Sequence, residues 1–196
     1  MREKMHRVNK PIKERSPSEI ESELKDKGEF VQMSYLQRAL DSGLDFETKK
    51  YVLIRLSKIY ENKGMYSEAA KCIRNAADIN TTFRGQITDY MKAVELYVRA
   101  DMHHEADRIF SQALALGNGK EKMQMKTALK DYYLTNARRY MNSDKRNYAK
   151  RVFEKTLTLD LEPGERREVQ QTLLDLYQKL GNIKEYYQLK QKISGS

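Results

Sequence analysis

The sequence predicts an all-α protein, an α-solenoid of antiparallel helical hairpins with about ten helices in five hairpins. Three observations carry this. First, only nine Gly and three Pro punctuate 196 residues, too few for the many tight turns of a β-sandwich or barrel. Second, Tyr60, Tyr97, Tyr140 and Tyr177 recur at intervals of 37, 43 and 37 residues, the period of a helix-turn-helix unit rather than of a heptad or a strand array. Third, apolar residues within each interval return every three or four positions, as they do on one face of a helix. The length fits one domain or one short repeat array.

Taken in chain order, residues 1–15 are charged, contain Pro11 and show no apolar period, which reads as a disordered basic arm. Order is expected from Ser16. Ser16-Pro17-Ser18-Glu19 supplies a capping Ser, a Pro preset for the first helical turn and a Glu that reaches back to the cap. A short helix to about Lys27 follows, then a second from about Glu29 to Asp41 on the spacing of Phe30, Met33, Leu36 and Leu40, stopped by Ser42-Gly43. Segment 16–44 is read as an N-terminal capping hairpin. Three repeats follow at 46–80, 82–117 and 119–161, and a C-terminal capping hairpin at 163–193 completes a single domain over 16–193. In each unit the first helix ends in an aromatic residue, and Gly64 or Gly181 makes a tight turn. The second helix then sets a small Ala at the crossing, so the backbones can approach closely. The last helix is polar outside through Lys184, Glu185, Gln188, Lys190, Gln191 and Lys192, as a solenoid end requires. Residues 194–196, Ser-Gly-Ser, read as a cloning scar.

These residues resemble the tetratricopeptide repeat. The best match is Leu53, Leu56-Ser57, Tyr60, Gly64, Tyr66, Ala69, Ile73, Ala76. Next come Tyr90, Ala93-Val94, Tyr97, Ala106, Phe110, Ala113, then the looser Tyr133, Asn136-Ala137, Tyr140, Ala149, Phe153, Thr156, and a partial Leu173-Leu174, Tyr177, Gly181, Tyr186. The resemblance covers about three quarters of the chain. It departs from the family in a period stretched beyond about 34 residues, and in lacking the closing Pro except near Pro163, so longer helices are expected. It implies a right-handed superhelix in which first helices line a concave groove. Helical phase then places Tyr51, Ile54 and Lys58, then Met91, Glu95 and Val98, then Leu134, Arg138 and Met141 on that groove. Such a mixed apolar and charged face suits a partner helix or extended peptide. The chaperone-tail clamp of some family members needs Lys and Asn at fixed places. Here those places hold Ile54, Lys58, Lys92, Asp131 and Thr135, so that function is not expected.

Charge marks a second surface. The formal net charge is +9, and residues 120–155 hold eleven Lys or Arg against four acidic residues. Lys122, Lys126 and Lys130 form one row at helical spacing, and Lys145, Arg146, Lys150, Arg151 and Lys155 lie on the next helix. With Tyr132, Tyr133, Tyr140 and Tyr148 interleaved, these rows could track phosphates, which makes RNA or ribosome association the alternative reading.

Little supports chemistry. His103, His104 and Asp107 offer too few ligands for a metal, Cys72 has no His partner at a motif spacing, and no Gly-rich phosphate loop or nucleophile elbow occurs. The expectation is therefore a non-enzymatic adaptor or scaffold with no cofactor and no metal. A single cysteine and an N-terminal stretch without an apolar run point to a cytoplasmic protein that avoids the membrane and would not use its Asn80-Thr81-Thr82 sequon. The oligomeric state is left open by the sequence.

Overall fold

In the computed structural model, which describes residues 12–194, ten α-helices follow one another, with no strand among the described residues. They are α1 (Pro17–Leu24), α2 (Glu29–Leu40), α3 (Phe46–Asn62), α4 (Tyr66–Asp78), α5 (Phe83–Arg99), α6 (His103–Leu116), α7 (Gly119–Asn142), α8 (Arg146–Thr156), α9 (Pro163–Leu180) and α10 (Ile183–Ser194). The expected cap at Ser16 forms a full capping box with Glu19, and Asn118 with Glu121 makes another at the start of α7. The long interval between Tyr97 and Tyr140 is taken up in α7, whose 24 residues exceed the 17 of α3 and of α5.

The four recurring tyrosines mark four equivalent turns. Four residues after each, the backbone turns left-handed: Gly64 at φ +72°, Asp101 at +62°, Asp144 at +53° and Gly181 at +69°. The residue after the turn donates back to the tyrosine carbonyl, Met65 to Tyr60 at 2.8 Å, Lys145 to Tyr140 at 2.9 Å and Asn182 to Tyr177 at 2.8 Å, closing the last turn of the helix. Gly meets this conformation without a Cβ penalty. Asp is tolerated there, and its carboxylate is put to use. Asp101 meets His103 Nε2 at 3.0 Å and Arg151 at 2.6 Å, and Asp144 meets Arg146 at 2.9 Å.

Beyond each turn, Ala69, Ala106 and Ala149 are completely buried, as are Ala76, Ala113 and Thr156 seven residues on. Ser57 Oγ donates to the Ala69 carbonyl at 3.0 Å, so α3 and α4 touch backbone to side chain at their crossing. Thr156 Oγ1 satisfies itself on the Val152 carbonyl at 2.7 Å. Tyr60, Tyr90 and Tyr177 bury their rings and tie their hydroxyls to neighbouring helices: Gln37 of α2 donates to Tyr60, Tyr90 donates to Asp78 of α4 at 2.8 Å and Tyr177 to Glu154 of α8 at 2.9 Å. Phe could fill the same space but could not make these links.

Packing follows chain order. α2 packs on α3, α3 on α4 and α4 on α5, and α1 also meets α3; later, α7 packs on α8, α8 on α9 and α9 on α10. Short turns make these pairs antiparallel, so within each stretch the architecture is that of an α-solenoid. Where the sequence runs one array over 16–193, the contacts divide into two compact units. One takes the chain through Ala100 and His104–Leu116; the other takes Asp101–His103 and the chain from Gly117.

At the N-terminus the sequence placed 1–15 in a disordered arm. Residues 1–11 lie outside the described residues, but 12–15 are fixed, which moves the ordered start ahead of Ser16. Ile12 is buried, Glu14 accepts from Tyr35 at 2.7 Å, and Arg15 donates to the Ser42 carbonyl and accepts from Thr48. Within 12–15 only Ile12 is apolar, too little to give a period to read. At the other end Ser194 belongs to α10, and the two residues after it lie outside the described residues.

Candidate partner-binding faces

In the first unit, the face assigned to a groove is built on α1, α3 and α5. Glu21 of α1 accepts from Tyr51 and from both the Nε and Nη2 of Arg55, the latter two at 3.2 Å. These hydrogen bonds, that of Arg55 first, hold the Glu21 carboxyl below its usual range, while burial first and Glu21 second push the Tyr51 phenol up. One helix further, Glu61 of α3 receives Lys92 at 3.3 Å and Arg99, and Lys92 also reaches Glu95 at 3.1 Å. Arg99 lies over Tyr66, 4.1 Å from the ring centroid. The result is two clusters of ion pairs, one linking α1 to α3 and one linking α3 to α5.

Of the residues expected on this face, Tyr51 and Ile54 are half-buried, Lys58 is exposed and Glu95 belongs to the second cluster. Met91 and Val98 are corrected: they are 7% and 0% exposed, so they are core residues and cannot anchor a partner. A residue about 100° away on a helix can lie on the next face, and phase alone put the boundary on the wrong side of these two. Glu21, Arg55, Glu61, Lys92 and Arg99 went unassigned. Arg55 and Lys92 both stand five residues before their turn tyrosines, while their acidic partners stand at other places, so only a fixed register converts these charges into contacts.

In the second unit, Leu134 and Met141 of α7 are half-buried, and Arg138 is exposed beside Glu168 of α9 at 3.5 Å. The basic rows are partly neutralised. Lys130 pairs with Glu165 at 2.8 Å, a contact that raises the Lys130 pKa and lowers that of Glu165. Arg146 pairs with Asp144, Arg151 with Asp101, and Lys150 donates to Asn182 at 3.1 Å. Lys122 and Lys126 are exposed with Lys145. Lys122 and Lys126 line an open cleft of about 480 Å³ with Met123 and Lys130, closed on its far side by Asp160 and Glu162. Lys155 is half-buried on α8. Of the four tyrosines read as stacking platforms, Tyr133 and Tyr140 are buried, Tyr132 is half-buried and Tyr148 is 45% exposed under Arg151 at 4.7 Å. Three of the four therefore have too little open ring face to stack a base.

Cys72 is buried, and burial pushes its thiol up to about 11, so it carries no thiolate at neutral pH. His103 meets Asp101, and among the described residues no three His, Cys, Asp or Glu side chains are grouped so as to hold a metal ion. Among the described residues no helix is long and apolar enough to cross a membrane.

No family model matches the chain, and no curated protein matches it. Among solved structures, the crystal structure of MamA protein is similar, at 20% identity over 90% of this chain and 87% of that chain with a TM-score of 0.40. The helical-hairpin architecture rests on the turns and packing of this chain itself.

Proposed function

We propose that the chain is a tetratricopeptide-type adaptor that holds a helix or extended segment of a partner protein on the α1–α3–α5 face of its first unit. The observation that carries this reading is the two ion-pair clusters, Glu21 with Arg55 and Glu61 with Lys92 and Arg99, which link α1, α3 and α5 beside Tyr51, Ile54, Lys58 and Glu95. Side chains already immobilised lose little entropy on binding, and half-exposed Tyr and Ile beside oriented charges supply area and register. The mechanism is binding alone. Its test is capture of partner proteins by the purified chain, compared with Tyr51→Ala and with Lys58→Glu. Each variant should lose partner while keeping its helical circular dichroism; undiminished capture by both would overturn the reading.

A second reading, RNA or ribosome association through 120–155, draws on exposed Lys122, Lys126 and Lys145. It is weakened by the internal partners of Lys130, Arg146 and Arg151. Reversing Lys122 and Lys126 to Glu should leave capture of a protein partner intact.

A further inference from the structure

In each of the first three hairpins that end in a turn tyrosine, one of two positions on the second helix, six or ten residues after that tyrosine, meets a later part of the chain. After Tyr60 these are Tyr66, covered by Arg99 of α5 at 4.1 Å, and Ala70, completely buried. After Tyr97 the first is His103, whose ring lies 5.4 Å from that of Tyr133 of α7. After Tyr140 the second is Lys150, which donates to Asn182 in the turn before α10. After Tyr177 the two positions hold Ile183 and Tyr187, and both are open, 58% and 63% exposed.

α10 is in this respect unlike every other helix: none of its residues is buried. It packs on α9 through the side bearing half-buried Tyr186 and Leu189, and Ile183, Tyr187 and Lys190 follow at i, i+4 and i+7 along a different face. Lys184 flanks that face, and Lys190 sits over Tyr186 at 5.6 Å. Two large apolar side chains thus stand between two ammonium groups at positions equivalent to Tyr66, His103 and Lys150, which meet later parts of the chain. A second copy would set the same lysines against each other in a chain already at +9. An acidic helix would pair with them.

We infer that the open face of α10 is a docking site for an acidic amphipathic helix of a partner protein, which seats apolar residues on Ile183 and Tyr187 and carboxylates on Lys184 and Lys190. This site is separate from the α1–α3–α5 face and stands without it.

The probe is a synthetic helix-forming peptide with a Leu stripe flanked by Glu, against a control in which each Glu is Lys, measured by fluorescence anisotropy with the full chain. The acidic peptide should bind and the basic one should not. Tyr187→Glu should weaken binding about tenfold or more, with unchanged circular dichroism because α10 buries no side chain. Lys184→Glu with Lys190→Glu should reverse the preference toward the basic peptide, and Lys122→Glu with Lys126→Glu should leave it unaltered. Equal binding of the two peptides, survival of acidic-peptide binding in Tyr187→Glu, or its loss in the Lys122 and Lys126 variant would overturn the inference. So would sedimentation of the chain alone as a dimer that Ile183→Glu dissolves, since the face would then belong to a second copy.

Discussion

At the scale of single residues, the four left-handed turn positions divide by what their side chains do. Gly64 at φ +72° has no Cβ, so Gly64→Ala should cost about 1–2 kcal/mol from backbone strain alone. Asp144 sits at +53° with only an exposed pair to Arg146, so Asp144→Gly should raise the melting temperature or leave it unchanged. Asp101 at +62° holds both His103 and Arg151, and Asp101→Gly should lower it. Thermal melts of the three variants check this ordering, and a gain at Asp101 would refute it. Glu21 gives a pH dependence with a definite sign. Its folded pKa lies below the usual 4.5, so its stabilising effect is complete above that value and fades as acidification protonates the folded form. Glu21→Gln should therefore melt lower than the parent at neutral pH, with the difference closing in acid. A difference independent of pH would contradict the Glu21 cluster.

At the scale of helices, the hairpin crossings and turns were legible because they repeat. Tyr, the turn residue and Ala keep fixed offsets in three hairpins, and periodic burial follows directly from a period in sequence. What could not be read was which flank of a first helix faces outward. Met91 and Val98 are buried where Tyr51 and Ile54 are half-buried, and that difference depends on inter-helix contact rather than on phase. Their burial changes the meaning of a substitution: Met91→Glu places a carboxylate in the core and should unfold the first unit rather than block a partner. Ala69→Leu overfills the crossing where Ser57 reaches the Ala69 carbonyl and should cost about 1–3 kcal/mol in denaturant titration. An unchanged midpoint would argue that the α3–α4 crossing is looser than its buried Ala residues indicate.

At the scale of the whole chain, the charge pattern read from sequence and the charge pattern in space diverge. Eleven basic residues between 120 and 155 look like one surface on paper. Folding gives Lys130, Arg146 and Arg151 acidic partners from α9 and from the two Asp turns, and leaves a shorter exposed row. Two of those partners lie far off in sequence, Glu165 35 residues from Lys130 and Asp101 50 residues from Arg151, beyond any local spacing rule. The same folding joins Glu21, Arg55, Glu61, Lys92 and Arg99 into an ordered face that no local run of charge announces. The central claim is that the protein works through this face as a protein-binding adaptor. Its most direct test is capture from the source cells at low and at raised salt, with and without nuclease, by the parent chain and by Tyr51→Ala side by side. The account predicts a protein partner that stays through salt and nuclease and is lost with Tyr51→Ala. Recovery of nucleic acid that vanishes with either treatment and is indifferent to Tyr51→Ala would contradict it.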